Sequence, residues 1–181
     1  MIRPNVIAEY AVWAVITVSV LFYFVLSYVL AKNGLSAGIR SADNVQTVFY
    51  TAGALVAAAS VLFRRYSFSD KHMLAIMKKD VDVTALSGSL GIERAGSGRS
   101  ALFNALGEDE LRAVTLMNEL VKASIINLVL NEMVALLGFV LAFLSGEFMK
   151  IIPFGLASLL LNIWMFPRPE SVIERSQKLF P

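Results

Sequence analysis

The sequence predicts an all-α integral membrane protein. Four transmembrane helices form two hairpins, with a partly helical cytoplasmic insert between helices 2 and 3 and both termini in the cytoplasm. Three observations predict it. Hydrophobic residues are 57% of the 181 and charged residues only 17%, against about half and about a quarter in ordinary soluble domains. The apolar residues fall in four long blocks almost free of charge, the pattern of a chain that uses lipid as its apolar solvent. Period-2 alternation is absent, so the blocks do not read as strands of a membrane barrel.

The first hairpin is residues 1–63, with helices over about 10–31 and 44–63. Between Glu9 and Lys32 lie 22 uncharged residues, Tyr10–Ala31, enough for the roughly 20 that a crossing needs. The block is longer than a signal-peptide core and no small-residue cleavage site follows, so it reads as an uncleaved helix. Its bulky Phe22, Tyr23, Phe24 and Tyr28 suit lipid or a partner. The second block, Asn44–Phe63, has 20 residues. Gly53 and Ala57 make a small-xxx-small packing face there.

Residues 64–107 form the insert. Ser69 or Asp70 can cap a short amphipathic helix over 69–79, because a side-chain oxygen accepts a free first-turn amide. Met73, Leu74, Ile76 and Met77 are its apolar side. Its basic residues Lys71, Lys78 and Lys79, with Arg64 and Arg65 just before, are candidate contacts for lipid headgroups. Packing on another cytoplasmic helix is the alternative for the apolar side. Residues 84–100, rich in Ser and Gly, read as a flexible linker. Its Gly96–Ser100 string fails as a phosphate loop: Glu93 and Arg99 stand where that pattern needs Gly and Lys, and no strand precedes it.

The second hairpin is 108–167. Glu108, Asp109 and Glu110 suit the positive end of a helix, expected to run to Ser145. At 1.5 Å per residue it is about 57 Å long and should project roughly 20 Å into the cytoplasm. The stripe Leu111, Val114, Met117 and Val121 on the projection should pack against the 69–79 helix. The third apolar block, Ala123–Gly146, has 24 residues and one charge, Glu132. The fourth, Ile151–Pro167, has 17. It fits if its ends sit at the interface or the bilayer thins, and Pro153 in its first turn costs little. All four blocks should be helices, because unpaired backbone groups are costly in lipid. The tail, 168–181, can form one short helix beginning at Pro169.

Orientation follows from the basic residues. Arg3, nine Lys and Arg in 64–122, and Arg168, Arg175 and Lys178 make 13 on one side. Lys32, Arg40 and Lys150 are the 3 on the other. The excess marks the cytoplasmic face and places both termini and residues 64–122 there. Trp13 and Trp164 fall near the inner ends of their helices, as interface anchors. Compactness and the lack of eukaryotic signals suggest the inner membrane of a bacterium as the multi-pass location.

Composition excludes several functions. With no Cys and only His72, thiolate metal sites, disulfides and multi-histidine centres within one chain are ruled out. No metal site and no cofactor is expected. The net charge of +2 is explained by anionic lipid, and no basic–aromatic motif points to nucleic acid. One histidine and one buried acid do not make a catalytic constellation, so no catalytic residue is assigned and an enzyme is not expected.

The third helix carries the chemistry. At 100° per residue, Ser124, Asn127, Asn131, Ala135, Gly138, Ala142 and Ser145 fall within about 80° of arc. Such a stripe lets helices approach and hydrogen-bond across their interface. Glu132 lies about 100° away from Asn131, the tenth of the block's 24 residues. It is too deep to snorkel, and a bare acid there costs about 2.5 kcal/mol or more. It should be neutral and hydrogen-bonded, or paired, and no Lys or Arg lies at its depth. Counting from a turn at position 147 puts Asn162 level with Glu132, with Ser158 one helical turn away. Thr51 on the second helix, and Ser19 or Tyr23 on the first, are further partners. Glu132, Asn162, Ser158 and Thr51 thus form a candidate proton or cation site.

The string Asn131-Glu132-Met133-Val134-Ala135-Leu136-Leu137-Gly138-Phe139-Val140 resembles the carboxylate-bearing helix of rotary ATPase proteolipid c subunits. The resemblance covers about 15 residues of the 181 and implies that Glu132 exchanges a proton. It departs from the family in placing the acid on the first helix of its hairpin. No glycine stripe precedes it, and the long insert is foreign to the pattern.

Three functions follow as expectations. A non-catalytic subunit or scaffold, partnered by the bilayer and by other membrane subunits or its own copies, accounts for the small and amide stripe. A proton- or cation-coupled channel or transporter component would use Glu132. A membrane-surface adaptor would use the basic insert.

Overall fold

The computed structural model describes residues 3–35, 43–78 and 107–166. Among them every regular element is a helix. In chain order these are α1 (Arg3–Lys32), α2 (Asp43–Ser67), α3 (Asp70–Lys78), α4 (Glu108–Ser145), a 3-10 turn (Phe148–Ile151) and α5 (Ile152–Trp164). The linker 84–100, Lys79 and the tail 168–181 lie outside the described residues.

Three helices are long and apolar enough to cross a membrane: α1 over Tyr10–Lys32, α2 over Asn44–Ser67 and α4 over Leu111–Ser145. The protein is therefore a helical membrane protein. The fourth apolar block is a shorter helix than the sequence suggests. Its first residue ends the 3-10 turn, Pro153 sits at the start of α5, and α5 itself has 13 residues. That is about 20 Å of α-helix after about 8 Å of 3-10 turn, against a hydrocarbon core of about 30 Å.

Two helix ends need glycine. Gly34 closes α1 at φ 64° and Gly146 closes α4 at φ 73°, the left-handed conformation that a Cβ disfavours. The Leu35 amide reaches back to the Leu30 carbonyl at 3.0 Å, and the Gly146 amide to Ala142 at 2.9 Å. Each capture satisfies a carbonyl that would otherwise end the helix unpaired.

The chain forms two compact groups. The first joins Met1–Arg64 with Ser124–Arg168. Its apolar centre is Val134, Leu141 and Phe154, with Phe49, Val56, Ala57, Leu137 and Ala157 around them. Phe154 of α5 lies between glycines of two other helices. A Cβ on Gly53 of α2 would come 2.5 Å from its ring, and one on Gly138 of α4 would overlap its side chain. The next residue, Gly155, receives the ring of Phe24 from α1 in the same way. Small residues here set how closely the helices approach, since packing rather than water exclusion drives association in lipid.

Arg65–Ala123 and Pro169–Pro181 make the second group. Ser69 caps α3, its hydroxyl accepting the His72 amide at 3.3 Å. Met73 and Met77 of α3 are buried with Leu116 and Leu120 of α4, beside Phe68 and Ile76. The apolar side of α3 therefore packs on a helix. The α4 residues it uses differ from the expected stripe. Leu116 and Leu120 lie roughly 130° around α4 from the mean of Leu111, Val114, Met117 and Val121, which are all half-buried. This part of α4 is apolar on two sides, so periodicity alone does not choose between them.

Candidate functional site

Three polar side chains of α4 within the first group, Asn127, Asn131 and Glu132, lie within two turns and reach three other helices. Asn127, Asn131, Ala135, Gly138 and Ala142 are buried, while Ser124 and Ser145 are half-buried. Asn127 and Asn131 have no exposure at all.

Ser60 of α2 sits between the two amides. Its Oγ lies 2.6 Å from Asn131 Oδ1 and 3.1 Å from Asn127 Oδ1. A hydroxyl has one proton and can donate to only one of them. Turning the Asn127 amide over, a choice the hydrogen-bond network decides, resolves the conflict. The Asn127 amide then donates to Ser60, and Ser60 donates to Asn131. Asn131 Nδ2 in turn donates to Asn162 Oδ1 of α5 at 2.9 Å and lies 3.1 Å from Met165 Sδ. The result is one directed chain from α4 through α2 and α4 to α5. Ser158 Oγ and Asn162 Nδ2 are buried beside α5's contacts without a hydrogen-bond partner of their own among the described residues.

Glu132 turns to α1 instead. Its Oε1 lies 2.7 Å from Ser19 Oγ and accepts from the Tyr23 hydroxyl at 3.1 Å. Ser19 Oγ is also 2.7 Å from the Ile16 carbonyl. Ser19 and Tyr23 are one turn apart, so both hydroxyls meet one carboxyl. The Tyr23 ring also lies 5.6 Å from that of Phe139 on α4.

The four residues proposed from sequence as one site thus separate. Depth arithmetic cannot resolve rotation about the helix, and the 100° between Asn131 and Glu132 sends them to different neighbours. Asn162 meets Asn131, not Glu132. Thr51 is exposed, and its hydroxyl donates to the Thr47 carbonyl of its own helix at 2.9 Å, a local bond open to any helical threonine. Of the sequence candidates, Ser19 and Tyr23 hold Glu132. Ser60 was missed. Its signal was present: Gly53, Ala57 and Ser60 share one face of α2 at spacings of four and three.

An aromatic cluster lies at the same, C-terminal end of α5. Trp13 Nε1 donates to the Asn162 carbonyl at 2.9 Å, and its ring meets Phe166 edge-on at 4.9 Å. Arg64, a candidate headgroup contact, packs its guanidinium 4.4 Å from the centre of the Trp164 ring and donates to the Trp164 carbonyl at 2.7 Å. Arg65, Lys71 and Lys78 are exposed. No three His, Asp or Glu side chains come together as metal ligands among the described residues.

Comparison with protein-family models, curated proteins and solved structures finds no match to this chain.

Proposed function

We propose that the chain is a non-catalytic structural subunit of a membrane assembly, joined to other membrane subunits or to its own copies. In this reading α5 with its 3-10 turn makes a fourth crossing, and both termini and residues 64–122 face the cytoplasm. One observation carries it: the polar segment of α4 bonds to α1, α2 and α5 of the same chain. Groups that bind one another are not free to receive a substrate. Outward, the long helices present apolar side chains such as Val18, Phe22 and Val25 of α1, Leu55 and Leu62 of α2, and Val129 and Met133 of α4. That surface suits lipid or neighbouring helices.

The test is extraction from the native membrane in mild detergent, followed by native mass spectrometry. Other subunits at fixed ratio, or a defined oligomer of this chain, are expected. A monodisperse single chain would overturn the proposal.

A second reading, a proton- or cation-coupled transport component, is favoured by Glu132 lying against two hydroxyls within a span. It requires that an exchange path open beside α1. A surface adaptor role would rest on the exposed Arg65, Lys71 and Lys78. Its mark is loss of partner or anionic-lipid binding in Lys78→Gln/Lys79→Gln while the membrane helices persist.

A further inference from the structure

Around Ser19 Oγ there are two oxygens at 2.7 Å, the Ile16 carbonyl and Glu132 Oε1. Two bonds of that length need two protons, and a serine supplies one. The carbonyl can only accept. At Ser60 the same excess is removed by turning an amide over. A carboxyl offers no such exchange, so the missing proton has to sit on Glu132.

We propose that Glu132 is a proton-binding site occupied in the resting protein: a carboxylic acid that donates to Ser19 Oγ and fastens α4 to α1. Ser19 then donates its own hydrogen bond to the Ile16 carbonyl, and the Tyr23 hydroxyl donates to the same Glu132 oxygen. Every short contact in the group is thereby used once.

The surroundings agree with a neutral acid. The titratable group facing Glu132 is Tyr23 of α1. Residues 44–63 of α2 and 152–164 of α5 include no Lys, Arg, His, Asp or Glu, and the nearest such residue on α4 is Lys122. The neighbours of Glu132 on the outer surface of α4 are the exposed Val129, Met133 and Leu136, where lipid replaces water and cannot solvate a charge. This inference stands apart from the subunit reading, because a neutral clasp can exist with or without partners.

Infrared difference spectroscopy of wild type against Glu132→Gln in lipid at neutral pH tests it. A single carboxylic-acid carbonyl band should be present in wild type and absent in the variant. Ser19→Ala should move that band to higher frequency, as an acid that loses a hydrogen-bond acceptor does, without abolishing it. A carboxylate band in its place would overturn the proposal. Should Glu132→Gln fail to fold, wild type labelled with carboxyl-13C glutamate gives the same answer by solid-state NMR. One of the nine glutamates should resonate as an acid at neutral pH, where exposed glutamates are carboxylates. Nine carboxylate signals would refute it.

Discussion

Removing Ser60 and Asn131 separately and together measures the bond that joins α2 to α4. Their oxygens are 2.6 Å apart, and neither residue has more than 1% exposure. Ser60→Ala leaves the Asn131 carbonyl oxygen without its donor, and Asn131→Leu keeps the volume while removing the amide. A buried group left unpaired costs about 1–3 kcal/mol. Coupling energies between helices in membranes average about 0.6 kcal/mol and reach about 1.7. A short bond in a sealed position belongs in the upper half of that range, about 1–1.7 kcal/mol, close to a tenfold change in the unfolding equilibrium. Reversible unfolding in mixed micelles, followed by fluorescence of Trp13 and Trp164, gives the four stabilities. Asn131→Leu alone should be the more damaging single change, because it also strips Asn162 of its bond. Single effects that add to within about 0.3 kcal/mol would show that the two side chains are neighbours without being partners.

Further outcomes follow from the packing. Gly138→Ala gains about 1 kcal/mol of helix propensity but drives a methyl into the Phe154 side chain, for an overpacking cost of about 1–3 kcal/mol. The net result should be a lower unfolding midpoint, and Phe154→Leu should not recover it, because the atoms the methyl meets most closely are the Cβ and Cγ that leucine keeps. Gly146→Ala should cost about 1–2 kcal/mol through its left-handed backbone alone, whereas Ser145→Ala next to it should cost less. Leu116→Ala should cost the second group about 2–5 kcal/mol. Hydrogen exchange should then quicken at the α3 amides and stay unchanged at α5; equal protection of α3 in both proteins would contradict its packing on Leu116.

What was legible in the sequence follows from what repeats along a helix. Blocks of uncharged residues mark the long helices because lipid tolerates little else, and the small and amide stripe of α4 is visible because its members recur every three or four residues. Which neighbour each residue meets is set by rotation and tilt, and those depend on all the helices at once. That is why Glu132 and Asn162, level by counting, take different partners. Phe24 read only as suiting lipid or a partner, because bulk alone does not distinguish a ring facing outward from one filling the space above Gly155. The choice of Leu116 and Leu120 over the stripe beside them has the same origin. Pro153 was readable as a tolerated first-turn residue, but the 3-10 turn before it, which shortens α5, was not. Ser60 needed the recognition that a hydroxyl on a small-residue face has a closely packed helix within reach as well as the carbonyls of its own turn.

The structural role of the α4 polar segment is tested most directly by proton flux. Wild type and Glu132→Gln, each shown to be folded, would be reconstituted into liposomes containing a pH-sensitive dye, and a potential applied. If Glu132 serves to hold α1 against α4, both proteins should be as tight to protons as protein-free vesicles. A proton current that wild type carries and Glu132→Gln loses would contradict that role and make the carboxyl a transport site.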